Sequence, residues 1–258
     1  MDKAAYDGFS ATLLGNAERD PDVLGIVFAG STADASRRDT WSDHDFLMIV
    51  NPGQQERYRQ DLSWLPDSDQ IVLRYRETEH GLTVIFAYGH LVEFAVFDPE
   101  EMFVMKANAY SVPLDKADIA SRMALIAHRT TPETIDVAAA CGHLMQILFA
   151  GVGRYARGEK LSAHAFIRQY ALRRLLQILP AVLKPESADT LDTLDPFRRF
   201  ERVLPELAAQ IDGLQRLDAL DTASGTLDLL QAFVKPHVPD YPAALHEVVK
   251  AHIAKAHG

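Results

Sequence analysis

The whole chain holds one cysteine, Cys141. That excludes an internal disulfide and a zinc site built from cysteines. No uninterrupted apolar stretch is long enough to cross a bilayer. The N-terminus, MDKAAYDGFS, lacks the basic-then-apolar layout of a secretory signal. These absences set the expectation of a cytoplasmic protein with no membrane partner. Positive charge is also scarce: 26 Lys and Arg stand against 36 Asp and Glu, a formal net charge of -10. A chain that holds long DNA or RNA carries a basic excess, so neither is an expected partner. The negative balance serves solubility as readily as it would attract a cationic small molecule. What remains is a globular composition, 48% apolar and 24% charged over 258 residues, with room for one large domain or two modest ones.

The two halves read differently. Residues 2–18 place Tyr6, Phe9, Leu13 and Leu14 at helical spacing. VLGIVFAG (23–30) and FLMIV (46–50) are short, apolar and partly β-branched, as strands are. A helix is predicted over 54–64, and strands over 70–77, 82–88 and 90–97. The pairs His80-Gly81 and Gly89-His90 read as hairpin turns, which implies an antiparallel or mixed sheet. The stretch 99–131 reads as a connector. Thr131-Pro132-Glu133 offers a hydroxyl cap, a first-turn proline and an acid, and so predicts a long helix to Gly158. Further helices fit 162–183, 197–211, 215–234 and 241–256. The expected fold is α+β: a catalytic domain with a mixed sheet over 1–130, then a helical bundle over 131–258. A cleft between two such domains is a natural place for a ligand.

Chemistry concentrates in FAGSTADASRRDTWSDHDFLMIV (28–50). Asp43 and Asp45 are spaced i, i+2, which on a strand places both side chains on one face. Two such anions repel, and a divalent cation reverses the penalty. Mg²⁺ takes one or two protein carboxylates and completes its shell with water and phosphate oxygens. By itself such a pair is more commonly two solvated acids at a strand end. The Gly30-Ser31 turn adds a second element: a glycine allows close backbone approach, and amides with the Ser31 hydroxyl supply donors to phosphate. By itself that pair is also a simple turn. Glu93, inside LVEFAVF, is a third acid. If its strand lies beside the one led by Asp45, it joins a metal cluster or acts as general base on an attacking hydroxyl.

Gly-Ser, a spacer, then Ser-Asp-x-Asp entering an apolar strand resembles the signature of the nucleotidyltransferase superfamily that includes DNA polymerase β. The resemblance implies metal binding by Asp43, Asp45 and Glu93, with Gly30 and Ser31 holding the nucleotide. GHLVEFAVFDPEEM (89–102), VPLDKADI (112–119) and ILFAGVGRYARGEKLSAHAFIRQYALRRLLQIL (147–179) are similar to segments of the antibiotic-modifying branch, the lincosamide and aminoglycoside enzymes. The likeness covers residues 20–180; beyond that it extends only to being helical. Where the family often carries a second glycine soon after the serine, this chain has Ala33, Asp34 and Ala35. The implied activity is Mg²⁺-dependent transfer of AMP from ATP, or of another nucleoside monophosphate, to a hydroxyl of a small molecule. Protein or RNA acceptors, and a nucleotide-binding regulator without turnover, are the alternatives. A homodimer is a further expectation carried by the resemblance.

Among the basic residues near 147–179, Lys160 and Arg168 are the candidates to meet the triphosphate; a solvated helix face is the competing reading. Arg37 and Arg38 hold phosphate or lie on the surface. His44, between the acids, belongs to the opposite face and is expected to be packed. Tyr75, Phe86, Trp41 and Trp64 are expected in the core.

Overall fold

The computed structural model describes residues 1–130 and 134–258. The chain forms two compact units, Met1–Thr131 and Pro132–Gly258. The first is a six-stranded mixed sheet with helices; among the described residues, the regular elements of the second are helices. The fold is α+β.

In the first unit, α1 (Lys3–Arg19) starts at Asp2, whose carboxylate caps the Ala5 amide at 2.8 Å. Its other end is closed by Lys116, whose ammonium donates to the carbonyls of Ala17, Glu18 and Asp20. Then follow β1 (Val23–Ala29), the single turn α2 (Gly30–Ala33) and β2 (His44–Val50). Next come α3 (Gln55–Gln60), β3 (Ile71–Arg76), β4 (Gly81–Phe86) and β5 (Leu91–Phe97), and last β6 (Tyr110–Asp115) and α4 (Ile119–Arg129). The sheet order is β3-β4-β5-β2-β1-β6. Only β2 and β5 run parallel; the other neighbours are antiparallel.

Strand alternation sorts the side chains onto two faces. His44, Phe46, Met48 and Val50 of β2 pack with Val92, Phe94 and Val96 of β5 and with Phe9 and Leu13 of α1. On the other face Val27, Ile49 and Phe97 pack against Ile119, Met123 and Ile126 of α4. Gly25 makes that close seat possible: a Cβ there would lie 2.8 Å from Ile119 Cγ1 and 2.9 Å from the Leu114 carbonyl. This cover protects the end of β2 and β5 where Ile49 and Phe97 sit. At the opposite end Asp45 and Glu93 are only half-buried.

The expected connector over 99–131 is instead part of the first unit. Its SVPLD run forms β6, paired with β1, and the next eleven-residue helix is α4. The helix-start reading of Thr131-Pro132-Glu133 lies outside the described residues. The following helix, α5 (Val137–Ala156), is capped by Asp136, which accepts from the Ala139 amide at 3.0 Å.

In the second unit α5 lies at the centre of the core, with Cys141, Leu144, Met145, Leu148 and Val152 fully buried. It is also long and apolar enough to cross a membrane by length and composition. The reading of individual apolar runs missed this, because Gly142, His143 and Gln146 interrupt the run while the window as a whole stays apolar. α6 (Lys160–His164) continues through a π-helical turn, Ala165–Ala171, into α7 (Leu172–Leu183). The predicted helix over 197–211 is broken in two, α8 (Phe200–Val203) and α9 (Pro205–Gln215), since Pro205 opens a new first turn. α10 (Ala219–Leu229), a second π-helical turn and α11 (Ala243–His257) complete the unit.

Candidate active site

The corner where β1 hands over to α2 is built around a positive φ. Gly30 adopts φ +54°, the left-handed region that side chains resist. A Cβ on Gly30 would lie 3.4 Å from Asp45 Oδ2. The Gly-Ser turn therefore faces the second acid of the Asp-x-Asp pair directly. The chain leaves the turn in two short pieces, the α2 turn and then a 3₁₀ turn at Ala35–Arg37.

The third acid arrives through the sheet. In the parallel ladder Asp45 is the Cα partner of Glu93. Neighbouring strands lie about 4.8 Å apart, so the two acids stand side by side on one face. The same row continues outward through Thr83 of β4 to Tyr75 of β3. The sequence condition on Glu93, a strand beside Asp45, is thus met. Asp43 differs. It precedes β2 by one residue; its charge acts on His90 and, together with that of Asp45, on Tyr6.

Among the described residues, no group of three or more His, Cys, Asp and Glu side chains is gathered closely enough to hold a metal ion. Asp45 and Glu93 are thus aligned in register, and the three acids are not gathered into a closed cluster. Carboxylates held at ligand distance repel one another unless a cation lies among them. The donor set is nonetheless that of a hard cation. Asp45 and Glu93 offer only oxygen, and the nearby histidines belong to the buried face.

Behind the acids lies a closed polar network. Ser10 Oγ donates to the Tyr6 carbonyl at 3.1 Å, so it accepts from His44 Nε2 at 2.8 Å. His44 Nδ1 then accepts from His90 Nε2 at 2.7 Å. The Tyr6 ring stacks on His44 at 3.7 Å. Burial, and then the neighbouring His90 and Arg38, push the His44 pKa down to about 3. Burial and the N-terminal ammonium hold His90 near 4. Both rings are neutral at pH 7. His44 is packed on the opposite face, as expected. His90 is not a surface turn residue but a buried partner of His44. No local pattern reports that pairing, because the two residues are 46 positions apart.

Arg38 is absorbed by the fold. It donates to the carbonyls of Ser31 at 3.2 Å and Thr32 at 2.7 Å, and it pairs with Asp7 at 3.0 Å. It fixes the Gly-Ser turn from behind.

No family model matches the chain, and no curated protein matches it in sequence. Solved structures are similar in shape, among them the following three. One is an aminoglycoside 6-adenyltransferase from Bacillus subtilis, 12% identical, covering 96% of this chain and 97% of that one at TM-score 0.40. A nucleotidyltransferase-like protein from Exiguobacterium sibiricum 255-15 is 15% identical, with coverage of 88% and 75% and TM-score 0.36. A STING-associated CdnE c-di-GMP synthase from Capnocytophaga granulosa is 12% identical, with coverage of 98% and 78% and TM-score 0.31. At these identities and TM-scores, none of the three assigns this chain an activity.

The basic candidates of the second unit are engaged within it. The Arg168 guanidinium donates to the carbonyls of Gln215 and Leu217 and to His164 Nδ1. Lys160 Nζ lies 3.0 Å from the centre of the Tyr155 ring. Of the aromatics expected in the core, Phe86 is buried, whereas Trp41 is 92% exposed and Tyr75 58% exposed. Trp41 sits two residues before Asp43, in a loop held by Asp39, which accepts from the Trp41 amide at 2.8 Å.

Proposed function

We propose that the chain transfers a nucleoside monophosphate, AMP from ATP, to a hydroxyl of a small molecule and releases pyrophosphate. One observation carries the reading: the Asp45–Glu93 register partnership facing a left-handed Gly30, 3.4 Å from Asp45 Oδ2 when given a Cβ. A Gly-Ser turn placed against paired acids suits a triphosphate on one side and its cation on the other. Asp45 and Glu93 would hold Mg²⁺, with Asp43 beside them. When bound, the ion supplies charge neutralisation at the transferred phosphoryl group.

The chain's own groups do the rest. The turn at Gly30-Ser31 admits phosphate oxygens closely and offers the Ser31 hydroxyl. The acceptor oxygen bonds to the α-phosphorus as the bond to pyrophosphate breaks. Glu93 either serves as ligand or takes the hydroxyl proton. Most of the acceleration comes from alignment and charge.

Calorimetry with the non-hydrolysable analogue AMPCPP, with Mg²⁺ or with EDTA, tests the first half. The expected result is binding that depends on the metal. Pyrophosphate release from ATP, assayed across antibiotic, protein and RNA hydroxyl acceptors, tests the second. No binding of any nucleotide overturns the proposal. Binding without release for every acceptor makes the chain a nucleotide-binding regulator.

A further inference from the structure

We infer that Thr32 and Tyr6 are positioning residues that set the distance between the Gly30-Ser31 turn and the acids; this rests on the nucleotidyl-transfer reading. Thr32 is completely buried and Tyr6 nearly so. The Asp45 amide donates to Thr32 Oγ1 at 2.9 Å. Tyr6 Oη donates to the Asp43 carbonyl at 2.7 Å. The two hydroxyls are 2.8 Å apart. Tyr6 has one proton and spends it on Asp43, so the Thr32 hydroxyl donates to Tyr6 Oη. The direct path from Thr32 to the Asp43 carbonyl is long, 3.5 Å.

The result is one directed relay: Asp45 amide, Thr32, Tyr6, Asp43 carbonyl. It grips the peptide groups on both sides of His44, and so the backbone that presents both acids. Thr32 also belongs to the α2 turn, two residues after Gly30. A single side chain therefore joins the phosphate-facing turn to the acid-bearing strand. Tyr6 ties that joint to α1, where its ring is stacked on His44 and flanked by Arg38 at 5.1 Å. Buried hydroxyls at a simple core position would need only any partner. Here both bind the backbone of the two acids, which is the arrangement of outer residues that orient ligands.

The test compares Thr32→Val, Thr32→Ser and Tyr6→Phe with the unaltered chain. AMPCPP affinity is measured in Mg²⁺ and in EDTA, with circular dichroism and thermal unfolding on each variant. Thr32→Val keeps the volume and removes the relay; Tyr6→Phe keeps the ring. The expected result is a loss of about tenfold in the Mg²⁺-dependent part of the affinity for both, with the EDTA value unchanged. Thr32→Ser should restore it. Equal Mg²⁺ dependence in the unaltered chain, Thr32→Val and Tyr6→Phe overturns the positioning role and leaves the function standing. An equal fall with and without metal shows a purely structural role and also overturns it. Absence of metal-dependent binding in the unaltered chain removes the nucleotide reading itself. If Thr32→Val fails to fold, Tyr6→Phe carries the same comparison.

Discussion

His44 and Asp45 are neighbours in the chain on opposite faces of one sheet, and their surroundings differ completely. On the His44 side both His44 ring nitrogens are bonded within the protein, to Ser10 and to His90, and the Tyr6 ring stacks over them. Those groups are neutral and closed to water. On the Asp45 side two carboxylates stand together, half-buried, against a glycine turn. The buried face satisfies its polar groups internally, as a core must. The other keeps two like charges side by side in register, an arrangement in which the anions repel each other. The contrast is what the proposed function builds on: a packed, neutral face and a half-buried, charged one.

The sharpest way to break the contrast is Asp45→Asn or Glu93→Gln. If the acids are a metal site, either change should cut Mg²⁺-dependent nucleotide transfer on the order of 100-fold. Thermal unfolding should stay at the same temperature or rise, since one of two adjacent like charges is gone. A fall in stability with transfer intact would make the acids structural and reverse the comparison.

The buried face makes a prediction of its own through pH. His44 and His90 are held near 3 and 4, against an ordinary value of 6.5. Between pH 6.5 and 4 the unfolded chain therefore binds more protons at these rings than the folded one. Stability is full above pH 6.5 and falls as pH drops through that window, by about 1.4 kcal/mol per pH unit for each ring. Urea unfolding across pH 7 to 4 measures it. In the double variant His44→Leu, His90→Leu the share belonging to the pair should vanish, leaving the carboxylate slope. An unchanged slope would show that water reaches the rings.

Much of this corner was legible beforehand because it depends on local geometry. Asp-x-Asp at a strand mouth, the apolar run after it, and the glycine before Ser31 are all spacing arguments, and alternation alone placed His44 inside. What stayed hidden depends on long-range pairing. Glu93 could be tied to Asp45 only conditionally, since strand order joins β2 to β5 across two intervening strands. His90 looked like turn chemistry because its partner is 46 residues away. The residues of β6 gave no clear strand pattern, since Pro113 lies among them at the sheet edge, where a proline is tolerated; the resemblance of VPLDKADI (112–119) to a family strand ending in Asp was what pointed there. Trp41 misled for the opposite reason: a large aromatic is usually buried, yet a tight Asp39 loop presents it to solvent.

The smallest effects lie on β4, where the two faces meet in consecutive residues. Val84 is completely buried, between Val92 of β5 and Arg74 of β3 in register. Thr83 is half-buried on the acid-bearing face, in register with Glu93, and its hydroxyl reaches Glu77 at 3.5 Å. Valine and threonine have nearly the same shape, so exchanging them changes polarity with little change in packing. Val84→Thr places a hydroxyl where no water reaches and should cost about 1–3 kcal/mol in urea unfolding. Thr83→Val gives up a long hydrogen bond on an open face and should move stability by no more than ~0.5 kcal/mol. Equal costs at both positions would mean that the acid-bearing face is as dry as the other. Asp45 and Glu93 would then pay the full desolvation penalty, and a site open to a hydrated cation would not be tenable there.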